Sequence, residues 1–196
     1  MAAMPSIRSG DWRPSAWPGT ILFARSSCSA CSRSKAMYTT RNDLPARQRG
    51  KLEKLLNARL ADALDLQSAS KQAHWNVKGP HFIALHELFD QLHGSIEQHV
   101  DTIAERIAAL GGSAHGTVQA SARASTLAPY PLHISDGVEH LEALSDRLAD
   151  FGRKVRAAIP AADQLGDADT ADLFTGVSRD ADKYLWFLEA HLQGRR

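Results

Sequence analysis

Cysteine is nearly absent from this chain: of 196 residues only Cys28 and Cys31 carry thiols. A four-cysteine zinc site needs a second pair, so that class is excluded. The lone C-S-A-C is read as incidental thiols of a reducing compartment, with a redox or metal role as the other reading. No run of about 18 apolar residues occurs, which excludes a transmembrane helix and leaves no membrane partner. Charge of either sign is not in excess, at a formal net +1, so bulk charge argues neither for nucleic acid nor against it. Strand-like alternation and internal repeats are missing too. The length suits one domain with a sizeable core.

What is present divides near residue 40. Residues 1–36 mix Gly, Pro, Ser and scattered Trp without a helical period, and carry Arg8, Arg13, Arg25, Arg33 and Lys35 against Asp11 alone. Residues 1–37 are therefore expected to form a disordered basic N-terminal extension, and 38–196 the folded domain. The extension is too charged and interrupted for a secretory signal. An Arg-rich transit peptide and a translation start at Met37 are the two alternatives for it.

From residue 41 onward the pattern is helical. Leu52, Leu55, Leu56, Leu60, Ala63, Leu64 and Leu66 mark a first helix over 44–77, ended by Lys78-Gly79-Pro80. Phe82, Leu85, Phe89, Leu92, Ile96, Val100, Ile103, Ile107 and Leu110 step by threes and fours along a second, over 82–110, closed by Gly111-Gly112. Residues 111–134 make a long crossover with room for a short helix. Val138 to Ile159 mark a third helix, Pro160 to Asp169 an acidic turn-rich link, and Leu173 to Leu192 a fourth helix. The expected fold is all-α: a four-helix bundle with a long crossover between helices 2 and 3, the ferritin-like topology.

The second helix holds a symmetry that points to chemistry. His86 and Asp90 are four apart, Asp101 and Glu105 are four apart, and the two pairs mirror each other about a point between Ser95 and Ile96. All four lie within an arc of roughly 100° on one side of a helix, yet Asp90 and Asp101 are roughly 16 Å apart along its axis. Metal–ligand bonds are about 2 Å long. One chain therefore cannot bring both pairs to one ion. A second copy packed antiparallel about a twofold axis can: His86 meets Glu105 of the partner subunit and Asp90 meets Asp101 of the partner subunit. These acids flank the apolar stripe, where burial is costly unless a charge is paired or metal-bound. The competing reading is solvated acids on an amphipathic helix. His93 and His99 have no mirrored acid and are read as ordinary polar positions.

Four segments, YTTRNDL at 38–44, KQAHWNVKGPHFIALHELFD at 71–90, HVDTIAER at 99–106 and SRDADKYLWFLEAHL at 178–192, resemble the Dps mini-ferritins over roughly 38–192. That resemblance implies a hollow dodecamer of four-helix subunits in the cytoplasm. It implies an enzyme, a ferroxidase that oxidises Fe(II), preferably with hydrogen peroxide, and stores ferric mineral. The metal and catalytic ligands it implies are His74, His86 and Asp90 from one chain with Asp101 and Glu105 from its twofold mate, around two irons. His74 enters through this resemblance and not through the mirrored spacing. Trp75 resembles the family's aromatic neighbour of the iron site. No Glu-x-x-His occurs in the sequence, so a di-iron centre inside a single bundle, as in larger ferritins, is not expected.

Other positions carry two readings each. Asp163, Asp167, Asp169 and Asp172 are helix-start acids complementing the dipole, or the lining of a threefold iron-entry pore in which Asp172 leads. Glu97 is a candidate mineral-nucleating acid. Arg106 and Asp182 resemble an inter-subunit salt bridge, with a plain surface arginine as the other reading. The basic extension and the terminal Gly194-Arg195-Arg196 suit weak, multivalent, sequence-independent phosphate contacts with DNA. The rival to the iron reading is accordingly a nucleoid-compacting DNA-binding shell with little iron chemistry.

Overall fold

The computed structural model describes residues 37–194, which build five helices and no strand: α1 (Ala46–Asn76), α2 (Phe82–Ala109), α3 (Val118–Ala124), α4 (Gly137–Asp163) and α5 (Ala168–Gln193). The basic extension before Met37 and both cysteines lie outside the described residues. α1 packs along α2 and α4 along α5; α1 against α4 and α2 against α5 close the four-helix arrangement, and short α3 lies on α1 in the crossover. The core is the meeting of their apolar stripes, from Leu52, Leu56, Leu60 and Leu66 through Phe89, Ile103 and Ile107 to Leu144, Leu148, Phe151 and Phe174. None of the described helices is long and apolar enough to cross a membrane.

Helix ends follow local chemistry. Gly111 takes φ +81°, its N–H bonds the Ala108 carbonyl and the N–H of Gly112 bonds that of Ile107, so the paired glycines close α2 as a Schellman motif. α4 starts where the Asp136 carboxylate accepts the Val138 N–H. The third long helix departs from expectation at its end. Pro160 does not terminate it, and the helix runs on to Asp163. The apolar stripe explains this: Val155, Ala158 and Ala162 are all buried, so packing holds the last turn despite the amide that Pro160 lacks. The acidic link is correspondingly short, from Gln164 to Asp167.

The crossover is stitched down by polar groups. Fully buried Asp62 pairs with Arg59 at 2.8 Å and accepts from the amide and hydroxyl of Thr126. Asp65 pairs with Arg147 at 2.8 Å and accepts from Ser125. The Lys154 ammonium donates to the Thr126 carbonyl. Tyr130 bonds Nδ1 of buried His140 at 2.6 Å.

Burial holds the His140 pKa below its ordinary value of 6.5. In the unfolded chain this imidazole gains a proton as pH falls through about 6.5, whereas in the folded chain it stays neutral to lower pH. Its contribution to stability is therefore complete above that point and declines below it. Melting temperatures between pH 7.5 and 5.5 should fall more in the natural chain than in His140→Gln. Equal slopes would show that His140 does not titrate between the two states.

Candidate metal centre

α1 ends with His74 and Trp75, and the turn through Gly79 brings the first turns of α2 back alongside with His86 and Asp90. The imidazoles of His74 and His86 stack, with centroids 3.6 Å apart and planes 23° apart. Nδ1 of His74 lies 2.8 Å from the carbonyl oxygen of His86, and Nδ1 of His86 lies 2.8 Å from that of His74. A carbonyl can only accept, so both Nδ1 atoms carry hydrogen, and in the neutral rings the Nε2 atoms keep their lone pairs. That is the tautomer a metal ligand needs, fixed by an outer partner on the other ring nitrogen. Asp90 is half exposed, with a carboxylate oxygen 4.0 Å from His74 Nδ1.

Sequence reading missed Lys71. Its ammonium forms an ion pair with the Asp90 carboxylate. Hydrogen bonding from Lys71 is the main cause that holds Asp90 below the usual carboxylate range. The signal was available: Lys71 stands three residues before His74, one helical turn away on the same face. A cation that took Asp90 as a ligand would have to displace that ammonium. Lys71→Met keeps an apolar stem and removes the competing charge. Anaerobic Co(II) titration should show tighter binding, on the order of tenfold, the scale of outer-sphere effects on metal affinity. Unchanged affinity would show that Lys71 does not compete.

The chain holds only part of the expected ligand set together. His74 and His86 stack, and Asp90 comes within 4.0 Å of the Nδ1 side of His74. Asp101 and Glu105 are exposed farther along α2, roughly 16 Å beyond Asp90 for Asp101 at the ordinary helical rise. Among the described residues of one chain, no three His, Cys, Asp or Glu side chains gather as a metal-holding group. The donor set nonetheless suits a divalent first-row ion: two neutral imidazoles and carboxylate oxygens fit iron, zinc or copper by ligand type.

Geometry gives two further candidates partners within their own chain, Asp182 keeping 57% of its side-chain surface exposed. Arg106 bonds Asp167 at 2.6 Å and Thr170 at 3.0 Å within its own chain, and Asp182 pairs with Arg156 at 2.6 Å. Asp167 likewise leaves the acidic group: it is buried, caps α5 through the Thr170 amide, and neutralises Arg106. Asp163, Asp169, Asp172 and Glu97 remain exposed. His99 pairs with Asp180 at 2.8 Å and His93 bonds the Gln67 carbonyl at 3.1 Å, so both act as ties to neighbouring helices. Trp75 is 67% exposed and lines a groove with Lys71, Tyr130 and Leu132.

Comparison with known proteins places this geometry in a family. A ferritin-like domain matches residues 53–196. A DNA protection during starvation protein of Agrobacterium fabrum is 47% identical over 156 residues, covering 80% of this chain and 96% of that protein. The structure is similar to DpsA14 from Streptomyces coelicolor, with a TM-score of 0.76 and 37% identity over 80% of this chain and 93% of that one. It is also similar to a Dps protein from Vibrio cholerae O1, described as a member of a broad superfamily of ferritin-like diiron-carboxylate proteins, with a TM-score of 0.75 and 27% identity over 81% of this chain and 99% of that one. With a bundle of the right topology, and with most of both lengths covered in each comparison, the chain belongs to the Dps family of ferritin-like proteins.

Proposed function

We propose that this chain is a ferroxidase and iron store whose active sites form between two copies. The observation that carries the reading is the paired histidines of α1 and α2, whose Nε2 lone pairs are both turned free by reciprocal Nδ1–carbonyl bonds. His74, His86 and Asp90 supply one half of each site. Asp101 and Glu105 of the partner subunit supply the other half, through the mirrored spacing of α2. Two such half-sites face each other at every twofold axis, and closure of twelve subunits into a hollow shell gives the ferric product a place to collect.

Iron is the substrate. A carboxylate-rich set favours Fe(III) over Fe(II), which drives electron loss. Two Fe(II) give up one electron each, hydrogen peroxide takes both and two protons, and two waters leave. Because both electrons arrive together, no hydroxyl radical escapes; this is the protective outcome. Exposed Asp163, Asp169 and Asp172 at the α4–α5 junction suit an entry path that attracts Fe(II).

The test is anaerobic Fe(II) loading followed by a peroxide pulse, read at the ferric absorbance. Fast oxidation at about two Fe(II) per peroxide, with iron remaining soluble on a large particle, is the expected result. A rate equal to that of protein-free solution would overturn the reading.

DNA contact is a second reading with its own observation. Arg41, Arg47 and Lys51 are all exposed at the start of the described residues, adjoining the basic extension. Relatives carry DNA protection in their names. Such contacts neutralise phosphates without reading bases, so a gel shift should vanish as salt rises and show no sequence preference.

A further inference from the structure

Tyr130 and His140 lie outside the proposed ligand set, and their geometry is not explained by packing alone. The phenol oxygen stands 2.6 Å from Nδ1 of His140. No other hydrogen-bond partner of that hydroxyl occurs among the described residues, and Nε2 of His140 is buried without one, so the O–H can donate to Nδ1 with the ring hydrogen carried on Nε2. His140 is 1% exposed. The ring of Phe89, next to Asp90 in the chain, lies 6.2 Å from the His140 ring. Tyr130 itself lines the groove that also holds Lys71 and Trp75.

We propose that Tyr130 and His140 form a one-electron relay that takes up the oxidising equivalent produced when a half-filled metal site meets peroxide. The inference rests on the ferroxidase reading for its source of oxidant. One Fe(II) passes one electron to hydrogen peroxide and leaves Fe(III), hydroxide and a hydroxyl-radical-class oxidant. Tyr130 gives that oxidant an electron, which converts it to hydroxide, and the phenolic proton passes to Nδ1 of His140. The products are a neutral phenoxyl radical and an imidazolium. A later Fe(II) returns the electron, and the proton goes back from His140 to the phenol oxygen. The sum is two Fe(II) oxidised per peroxide, with two hydroxides formed.

The surroundings fit each step. The Arg147 guanidinium lies 5.9 Å from the centre of the Tyr130 ring. A cation there opposes a positively charged ring, so the electron cannot leave unless the proton leaves with it. Burial opposes phenolate formation, so the proton stays in place until oxidation. Burial opposes the imidazolium, which favours return of the proton to the phenol oxygen once the electron is restored, while the fields of Glu139 and Asp136 support it in the interim.

The experiment has an iron-free arm and an iron arm, both on the full chain. In the first, photo-oxidised ruthenium tris-bipyridyl serves as the one-electron oxidant, with electron paramagnetic resonance as readout. A phenoxyl signal lost in Tyr130→Phe and slower to form in His140→Gln supports the relay. Ring-deuterated tyrosine should narrow the signal in the natural sequence, which identifies the radical without any substitution. A signal unchanged in Tyr130→Phe assigns it to Tyr38 or Tyr184 and overturns the proposal. In the second arm, one Fe(II) per site and peroxide replace ruthenium, and the same Tyr130-dependent signal supports the link to the metal centre. Its absence here while the ruthenium signal persists overturns the relay's link to the metal centre; the ferroxidase reading fails separately, only if Fe(II) oxidation in the same sample is no faster than in protein-free solution.

Discussion

Replacing His86 and Asp90 together with alanine should reduce peroxide-driven Fe(II) oxidation to the rate of protein-free solution. Even outer partners of metal ligands change affinity or activity by about 10–100-fold, and this variant removes two ligands outright from each half-site. The fold should survive. Asp90 has half of its side-chain surface in solvent, and alanine is a better helix former than either residue it replaces. The loss on the His86 side is one bond to the His74 carbonyl and one ring stack, about 1 kcal/mol for the bond. Stopped-flow ferric absorbance beside a thermal melt separates the outcomes. An active variant would remove these residues from the chemistry, and an unfolded one would make them structural. Retained shell size with lost oxidation is the result that supports the proposed site.

Asp167→Ala should be the most destabilising single change near the surface. Three functions end at once: the cap on the Thr170 amide, the hydrogen bond with the Thr170 hydroxyl, and the partner of Arg106. A lost cap costs about 1 kcal/mol, and stranding one member of a buried pair adds a few kcal/mol more, at the lower end of about 3–5 because Arg106 keeps 17% exposure. Asp169→Ala is the control. Asp169 lies 3.6 Å from the same guanidinium but is 84% exposed, and such pairs contribute about 0–1 kcal/mol. Urea unfolding midpoints of the two variants should therefore differ widely. Equal shifts would mean that Arg106 is held by its long-range field and not by the buried carboxylate.

The sequence made some of this legible for identifiable reasons. α2 was readable at both ends because Gly79-Pro80 and Gly111-Gly112 act through their own backbones, without help from distant residues. The spacing of the mirrored pairs was readable because helix geometry fixes their separation along α2, and the helix forms over all four positions; a site shared between them would need a second chain. His74 was not derivable from spacing, since it sits on another helix and only the AHWN resemblance singled it out. Pro160 misled because its local cost was outweighed by buried Ala158 and Ala162, a tertiary effect. The partner of Arg106 within its own chain was not legible for the same reason: Asp167 is 61 residues away, and nothing local selects it. Lys71 went unread because the motif containing it was searched for donors of electron pairs, whereas its effect is to compete with the incoming cation.

The reciprocal bonds between His74 and His86 have a consequence for time as well as geometry. Each ring is anchored to the backbone of the opposite helix, so neither can swing away between iron encounters without breaking a tie that joins α1 to α2. On the proposed function, capture would require no search through the rotamers of these two rings, and the local rearrangement left would be the departure of one flexible ammonium, that of Lys71, from Asp90. If that reading holds, a cell meeting a sudden pulse of peroxide would have in this protein a half-site already set, with only its latch to lift.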